Sequence, residues 1–358
     1  MPINPSNMRV VDVARLLNST SFGFVLAQAR LYREFNRVGF RIGSSENPRN
    51  INLLKYIAWM FDRKHTPEET SGARSYEDRR NAERDRQAEQ SLAGRDIGPL
   101  PEVVNPDRKA ACERNFQLFC ESYFPETYAL AWSPDHLKVI EKIETAVLRG
   151  GLFALALPRG SGKTTITESA ALWSMLYGHR EFVVLIGATE SAALELLDSL
   201  KTELEVNERL AEDFPEVCYP VAQLEGIANR CAGQLYKGER TRITWTSNEI
   251  VLPTVEGSRA SGIIVRVAGI TGRIRGMKFK RSDGRNVRPS LVVIDDPQTS
   301  ESAGSLEQTR KRVRVLAGDI LGLAGPGQKI SGIMPCTIIR PGDMADIILN
   351  RNTHPDWN

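Results

Sequence analysis

An apolar run that leads directly into a glycine-rich loop with a lysine restricts the fold of this chain more than any other feature. Residues 152–157 read LFALAL, six consecutive apolar residues typical of a strand buried on both faces of a parallel sheet. The loop, residues 158–165, reads PRGSGKTT, and residues 166–177 have the pattern of a helix. Backbone N–H groups in such a loop and at the following helix N-terminus can bind phosphate groups. The order of strand, loop and helix predicts an α/β fold with a mostly parallel central sheet and a P-loop after the first strand.

The loop also predicts individual contacts with a bound nucleotide. The side chain of Lys163 is placed to reach the β- and γ-phosphates, and the hydroxyl of Thr164 is placed to ligate Mg²⁺. The strict pattern has glycine at position 157, where this chain has Leu157, so the loop is a degenerate Walker A sequence. The loop residues predicted to bind the nucleotide are Arg159, Gly160, Ser161, Gly162, Lys163, Thr164 and Thr165.

Two later strands predict the remaining parts of a nucleotide-hydrolysing site. The sequence SLVVIDD is an apolar strand that ends in Asp295 and Asp296. Asp295 has the position of a Walker B residue, which holds Mg²⁺ through water, and Asp296 is placed to act as a general base. The alternative interpretation is an acidic pair that caps the turn before Pro297. The sequence KISGIMPCTII predicts a further strand, and its Thr337 is a small hydroxyl residue suited to sensing the γ-phosphate.

Composition divides the chain into three regions, residues 1–65, 66–105 and 106–358. The last region holds the three strands described above and predicts one ATPase domain. The middle region is polar and densely charged, and it has too few large apolar residues to form a core. It predicts a charged linker with an exposed helix around residues 74–92, and contact with DNA or another subunit is the alternative role of that helix.

Residues 1–65 predict a small, mainly helical domain. Apolar periodicity indicates helices that begin near Val10, Val25 and Leu53, with a short strand at residues 40–43. This order resembles a winged helix-turn-helix, and the region holds ten Lys or Arg against four Asp or Glu. The second helix carries four side chains suited to phosphates or base edges, namely Gln28, Arg30, Arg33 and Arg37. A helical protein-docking domain with an ordinary basic surface is the alternative.

Whole-chain composition argues against a membrane protein, a secreted protein and a protein built on zinc or disulfides. A formal net charge of +3 neither requires nor excludes a nucleic-acid partner. No apolar run approaches the ~20 residues of a membrane helix, and the N-terminal sequence MPINPSNMRV lacks an apolar signal core. We therefore expect a soluble intracellular protein with no membrane partner. The five cysteines form no C-x-x-C pair, which predicts buried free thiols rather than a zinc site or a disulfide framework.

Taken together, the motifs over residues 110–350 resemble the large terminase subunit of tailed bacteriophages. The degenerate loop with Arg159 is similar to the Walker A segment of that family, in which the arginine acts at the phosphates of its own subunit. Trp132, Pro134 and His136 are similar to the adenine-binding segment of the family, which often has glutamine where His136 stands.

Three further segments carry the same resemblance. The sequence GRIRG is similar to the arginine–glycine segment that precedes Walker B in the family. The resemblance implies that Arg273 or Arg275 reaches the site of a neighbouring subunit, and phosphate-backbone or salt-bridge arginines are the alternative. Asp296 stands where the family has glutamate, so the implied base is one methylene shorter. Thr337 matches the coupling motif of the family.

The resemblance implies a fold class, a function and partners. The implied fold is a P-loop NTPase of the ASCE/RecA-like class. The implied function is the ATPase motor of viral DNA packaging, a hydrolase that uses ATP and Mg²⁺ to move double-stranded DNA into a procapsid. The implied partners are the procapsid portal protein, a small terminase subunit and further copies of the chain in a homo-oligomeric ring. The implied location is the cytoplasm of the infected bacterial host, transiently at the procapsid portal and not in the mature virion.

The chain departs from the family pattern at both ends. It stops at Asn358, too soon after Thr337 for the nuclease domain of large terminases, so we expect no nuclease activity. Its N-terminal region looks more like the DNA-recognition domain of a small terminase subunit, which predicts a fusion of recognition and motor functions. Two rival functions are a different helicase-like DNA translocase, which needs a second RecA-like domain, and a DNA-binding ring scaffold with an inactive nucleotide site.

Overall fold

A computed structural model describes residues 4–19, 31–33, 35–36, 41–65, 95–272, 274–281 and 283–357. The chain forms two compact units, Met1–Arg84 and Asp85–Asn358.

The N-terminal unit has a small core between two helices and a pair of short strands. Its elements are β1 (Met8–Arg9), α1 (Val10–Asn18), β2 (Asn50–Ile51) and α2 (Leu53–His65), and β1 pairs antiparallel with β2. The described residues fully buried in its core are Val13, Leu31, Ile42, Ile51 and Tyr56. Both helices lie where the apolar periodicity predicts them.

Of the predicted strand at residues 40–43, the described residues 41–43 do not form a strand. Residues 41 and 42 are helical, and Gly43 makes only an isolated bridge to Ile51. The β-pairing instead uses Met8–Arg9, a segment too short to give a period-two signal in the sequence.

The larger unit is a mixed α/β structure built on a seven-stranded sheet with the strand order β3-β13-β12-β4-β9-β8-β7. The first five strands in this order run parallel to one another. β8 pairs antiparallel with β9, and β7 pairs antiparallel with β8. The predicted mostly parallel central sheet is thus confirmed. The strands of this unit are β3 (Leu152–Ala156), β4 (Phe182–Gly187), β5 (Leu235–Tyr236), β6 (Glu239–Arg240), β7 (Thr244–Trp245), β8 (Glu249–Val251), β9 (Ile264–Gly269), β10 (Phe279–Lys280), β11 (Asn286–Val287), β12 (Leu291–Asp295) and β13 (Ser331–Cys336).

Helices and apolar clusters cover both faces of this sheet. Along β4, Val183 and Leu185 belong to one buried cluster, while Val184 and Ile186 belong to the other. Successive side chains of a strand point to opposite faces, so a strand covered on both faces needs an uninterrupted apolar run. The helices of the unit are α3 (Pro106–Cys112), α4 (Phe116–Tyr123), α5 (Pro134–Leu148), α6 (Lys163–Leu176), α7 (Glu190–Val206), α8 (Glu208–Asp213), α9 (Pro215–Ala222), α10 (Ser300–Ala303), α11 (Leu306–Val315) and α12 (Met344–Leu349).

Residues 95–105, the described part of the predicted linker, pack with the larger unit. The N–H of Ile97 donates to the carbonyl of Leu235, and the N–H of Val104 donates to the carbonyl of Glu212. Residues 66–94, with the helix predicted around 74–92, lie outside the described residues.

The sequence predicts no membrane-spanning helix and cysteines that are buried free thiols. Among the helices that the structure describes, none has the length and apolar character needed to cross a bilayer. All five cysteines are free thiols, and Cys231 alone is not fully buried.

Candidate nucleotide-binding site

The sheet topology brings the three predicted site segments to one edge. β3, β13 and β12 are neighbouring parallel strands, so their carboxyl ends meet at the same edge of the sheet. The N–H of Leu157 donates to the carbonyl of Cys336 over 3.1 Å, and the N–H of Asp296 donates to the carbonyl of Pro335 over 3.1 Å. The glycine-rich loop, the acidic pair and Thr337 therefore lie side by side, although more than 170 residues separate the loop from Thr337 in the sequence.

Left-handed glycines shape the loop. Gly160 has φ 77° and Gly162 has φ 73°, a backbone region that non-glycine residues rarely adopt. Gly162 directly precedes α6, and no side chain of the described residues caps this helix N-terminus. The first N–H groups of α6 therefore keep their hydrogen-bonding capacity for an anion, as does the partial positive charge of the helix.

The side chain of Lys163 lies inside the loop. It is buried, and its Nζ donates to the carbonyl of Pro158 over 3.0 Å and to that of Leu157 over 3.4 Å. These carbonyls hold the ammonium where the loop closes around it. A phosphate bound in the loop would lie within reach of this ammonium.

Thr164 and Asp295 link the loop to the acidic strand end. The hydroxyl of Thr164 donates to Oδ2 of Asp295 over 2.8 Å, while Oδ1 of Asp295 is buried without a hydrogen-bond partner among the described residues. Burial raises the pKa of Asp295 to about 6; the hydrogen bond from Thr164 opposes the shift, and the nearby Asp296 charge adds to it. A hydroxyl and a carboxylate with one oxygen unpaired are hard oxygen donors, which fit Mg²⁺.

The side-chain oxygens of Asp296 and Thr337 have no hydrogen-bond partner among the described residues. Asp296 is half-buried and has φ 35°, a strained conformation for a residue with a side chain. Its carboxylate makes no hydrogen bond or ion pair with the described residues, and Oγ1 of Thr337 is buried without a partner among them. Both side chains therefore end at the same sheet edge with unused hydrogen-bonding capacity.

The predicted adenine segment lies against the loop. Ser133 caps α5 and Pro134 is its first residue, which places His136 with its Nε2 3.0 Å from the carbonyl oxygen of Ser161. Trp132 stacks on Tyr128 with ring centroids 4.9 Å apart and contacts the edge of the His136 ring. The rings of Tyr128, Trp132 and His136 thus form an aromatic surface beside the glycine-rich loop.

Of the three arginines predicted to act at a nucleotide site, the structure describes Arg159 and Arg275. Arg159 is exposed on the loop, and its Nη2 lies 3.5 Å from Oγ of Ser300 in α10. Arg275 is 82% exposed and donates to Asp319, which lies in a π-helical turn over Leu316–Ile320, rather than to the loop. Arg273 lies outside the described residues.

The side chains predicted to contact DNA are mostly beyond what the structure describes. Gln28, Arg30 and Arg37 lie outside the described residues. Arg33 is exposed in a helical stretch that includes residues 31–33.

Glu168 is a site neighbour that sequence reasoning missed. It lies on α6 one turn beyond Thr164, and burial raises its pKa to about 7, with a hydrogen bond from Ser199 opposing the shift and the charges of Asp295 and Glu203 adding to it. A glutamate four residues after a loop threonine faces the same side of the helix. The four-residue spacing from Thr164 could have identified Glu168 in the sequence. A glutamate on the exposed side of a helix can have the same spacing, so the spacing alone does not predict a site residue.

Comparison with known proteins gives no family assignment. No family model matches the chain, and no curated protein matches it significantly. The function must therefore be inferred from the geometry of the site itself.

Proposed function

We propose that this protein is the ATPase motor of viral DNA packaging, a terminase large-subunit ATPase that couples ATP hydrolysis to translocation of double-stranded DNA. The observation that carries the proposal is the hydrogen bond between Thr164 and Asp295, which joins a glycine-rich lysine loop to an acidic strand end. This pairing supports a P-loop NTPase of the ASCE/RecA-like class. The two helices with a β-pair in the N-terminal unit support the winged-helix proposal for residues 1–65.

Each polar group of the site has a role in this proposal. Lys163 exchanges the loop carbonyls for β- and γ-phosphate oxygens, and Arg159 approaches the same phosphates from the solvent side. Thr164 and Asp295 would hold Mg²⁺, which would supply positive charge to neutralise the phosphates. Asp296 accepts the hydrogen bond of the attacking water and orients it towards the γ-phosphate.

Adenine binding and coupling use the neighbouring segments. Trp132, Pro134 and His136 form the surface against which the base packs. Thr337 directly follows β13, the strand between β3 and β12, and it responds to loss of the γ-phosphate because its hydroxyl has no other partner among the described residues. In this proposal its shift changes the grip on DNA. The motor works as a homo-oligomeric ring at the procapsid portal in the host cytoplasm, with a small terminase subunit or the N-terminal unit recognising the DNA.

The test is steady-state ATP hydrolysis with Mg²⁺, with and without DNA, for the wild type and Lys163→Ala. Transition-state stabilisation by a phosphate-binding lysine is commonly worth a hundredfold or more, so we expect Lys163→Ala to reduce kcat by at least about 10²-fold. Lys329→Ala is the matched control, since Lys329 is exposed just before β13, at the opposite edge of the sheet. Absence of Lys163-dependent turnover, even with DNA and at high protein concentration, would leave the DNA-binding scaffold as the better proposal.

A further inference from the structure

A two-stranded β-ribbon in the larger unit carries a face made of cations. β10 and β11 pair antiparallel with Phe279 opposite Val287 and Lys280 opposite Asn286. Lys278 directly precedes β10 and Arg288 directly follows β11, so extending this register by one residue brings them to the same end of the ribbon. Burial alternates along the first strand as the two-residue period requires: Met277 and Phe279 pack on the apolar cluster, whereas Lys278 and Lys280 are exposed.

The outward face contains no acidic residue. The second strand alternates in the same way, with Val287 buried and Asn286 and Arg288 exposed. We define the ribbon face as the exposed side chains Lys278, Lys280, Asn286 and Arg288. Within the described part of the chain, no carboxylate lies within ion-pair distance of its three cations.

Two acidic side chains pair with the arginines that flank the turn of the ribbon, not with the ribbon face. Asp283 in the connecting turn pairs with Arg285 over 2.8 Å, and Glu181 lies 3.8 Å from Arg281. Arg281 also donates to the carbonyl of Gly262, which fixes the ribbon to the sheet. The cations of the ribbon face are therefore held on a supported scaffold but are not neutralised.

The nucleotide site does not account for this charge. Glu181 and Gly262 precede β4 and β9, so the ribbon is attached at the amino edge of the sheet. The candidate nucleotide site lies at the carboxyl edge, where the parallel strands end. A second anionic ligand at the opposite edge is the simplest reason for an unneutralised cationic surface there.

We infer that the ribbon face binds the phosphate backbone of double-stranded DNA. A two-stranded β-ribbon fits the dimensions of the DNA major groove, and lysine and arginine side chains that flank it contact phosphates. Residues two positions apart in an extended strand are separated by about 6.8 Å, and residues opposite each other in an antiparallel pair by about 5 Å, so cations at such spacings can contact separate phosphates. Asn286 adds an amide donor between them. The choice of DNA as the partner rests on the proposed function.

The test compares two triple variants of the full chain in binding labelled duplex DNA at several salt concentrations. K278Q/K280Q/R288Q removes the three ribbon cations. K237Q/R240Q/R242Q removes three exposed cations at another hairpin of the same unit, formed by β5 and β6, and so gives the same net charge. Loss of three phosphate contacts should reduce the slope of log affinity against log salt by about 2.7, since each contact accounts for about 0.9.

We expect the ribbon variant to lose at least about tenfold in affinity at moderate salt, while the control variant stays close to the wild type. The charge-preserving K278R/K280R/R288K variant should bind like the wild type, which separates loss of charge from loss of fold. Equal losses in the ribbon and control variants, or unchanged binding by the ribbon variant, would overturn the inference. Dependence of subunit assembly rather than DNA binding on the ribbon would overturn it in favour of an acidic protein partner.

ATP hydrolysis without DNA separates this inference from the proposed function. The ribbon variant should keep the Lys163-dependent rate of the wild type, because none of its changes lies at the loop. If the wild type shows no such rate but the ribbon variant still loses DNA affinity, the motor proposal fails and the ribbon inference stands.

Discussion

The hydroxyl of Thr164 decides how the acidic strand end is held at the loop. Thr164→Val keeps the shape of the side chain but removes the donor to Asp295, and it removes one oxygen ligand of the proposed Mg²⁺ site. We expect kcat for ATP hydrolysis to fall by about tenfold or more and the Mg²⁺ concentration for half-maximal activity to rise. Titration of activity with Mg²⁺ measures both quantities.

A matched valine substitution controls for general effects on helices. Thr202 lies on α7, is exposed, and donates its hydroxyl only to the carbonyl of Asp198 in the preceding turn. Thr202→Val should leave both the rate and the Mg²⁺ dependence unchanged. An identical Mg²⁺ dependence in wild type and Thr164→Val would contradict the metal assignment of Thr164.

Glu168 makes the stability of the larger unit depend on pH. Its pKa in the folded protein, about 7, lies above the ordinary glutamate value of 4.5, because burial disfavours the charged carboxylate. A raised folded pKa contributes stability that is present below about pH 4.5 and is lost as the pH rises through about 7. Glu168→Gln cannot ionise and should therefore be more stable than the wild type at pH 8 by about 1–2 kcal/mol, after allowance for partial solvent screening.

Urea denaturation of wild type and Glu168→Gln at pH 4 and pH 8 measures this effect. The two proteins should unfold with similar free energies at pH 4 and should separate at pH 8. Glu195→Gln, an exposed position on α7, is the control and should show no such separation. A wild type whose stability relative to Glu168→Gln rises from pH 4 to pH 8 would show that the Glu168 carboxylate is stabilised as an ion.

At the scale of elements, the turn from β3 into α6 depends on the left-handed conformation of Gly162. A Cβ at Gly162 meets no atom within 4 Å, so Gly162→Ala tests backbone conformation without a clash. With φ 73°, alanine should cost about 1–2 kcal/mol in unfolding free energy and should weaken nucleotide binding by moving the first N–H groups of α6.

Gly318 provides the matched control for this substitution. A Cβ there also meets nothing within 4 Å, but its φ is not in the left-handed region. Gly318→Ala should be neutral or stabilising by about 0.4–1 kcal/mol, since alanine reduces the entropy of the unfolded chain. If both variants lose the same stability in thermal denaturation, then left-handed backbone strain is not the cause.

The sequence predicts the elements around the site because each of them has a strong local signal. Buried parallel strands need long apolar runs, and the strands that contain Val184 and Val293 stand out for that reason. β8 and β7 escaped prediction because they are strands of only three and two residues, formed by pairing of β8 with β9 and of β7 with β8. The π-helical turn that holds Asp319 has no sequence signature of its own, since it arises where α11 meets the following loop.

The site itself was predictable only in part. Lys163, Thr164 and Asp295 follow from residue type and local spacing, and the structure brings these three together. The left-handed conformation of Asp296 and the pairing of Arg275 with Asp319 depend on tertiary contacts that no local pattern encodes.

At the scale of the whole molecule, the small net charge conceals a basic N-terminal sequence and a cationic ribbon face in the larger unit. The formal net charge is only +3, yet the first 65 residues carry a basic excess and the ribbon face of the larger unit is free of acidic residues. DNA binding through both regions would give a steeper salt dependence than either alone, because each phosphate contact releases counterions. Deletion of residues 1–84 should therefore reduce the salt slope and leave the part that depends on the ribbon.

The proposed ring predicts that Arg275 of one subunit acts at the nucleotide site of its neighbour. Arg275 is exposed and pairs with Asp319 rather than with the loop, so an arginine at this position is better placed to serve a neighbouring site than its own. Lys163→Ala lacks a working loop but keeps Arg275, whereas Arg275→Ala keeps the loop but lacks the arginine. If Arg275 acts on a neighbour, a mixture of the two inactive variants should regain ATP hydrolysis, and the gain should increase with total protein concentration as mixed rings form. Lys163→Ala mixed with Thr164→Val is the control and should not exceed the summed rates of its parts, because neither variant supplies an intact loop. A mixture of Lys163→Ala and Arg275→Ala that never exceeds the summed rates of its parts would show that Arg275 does not act between subunits.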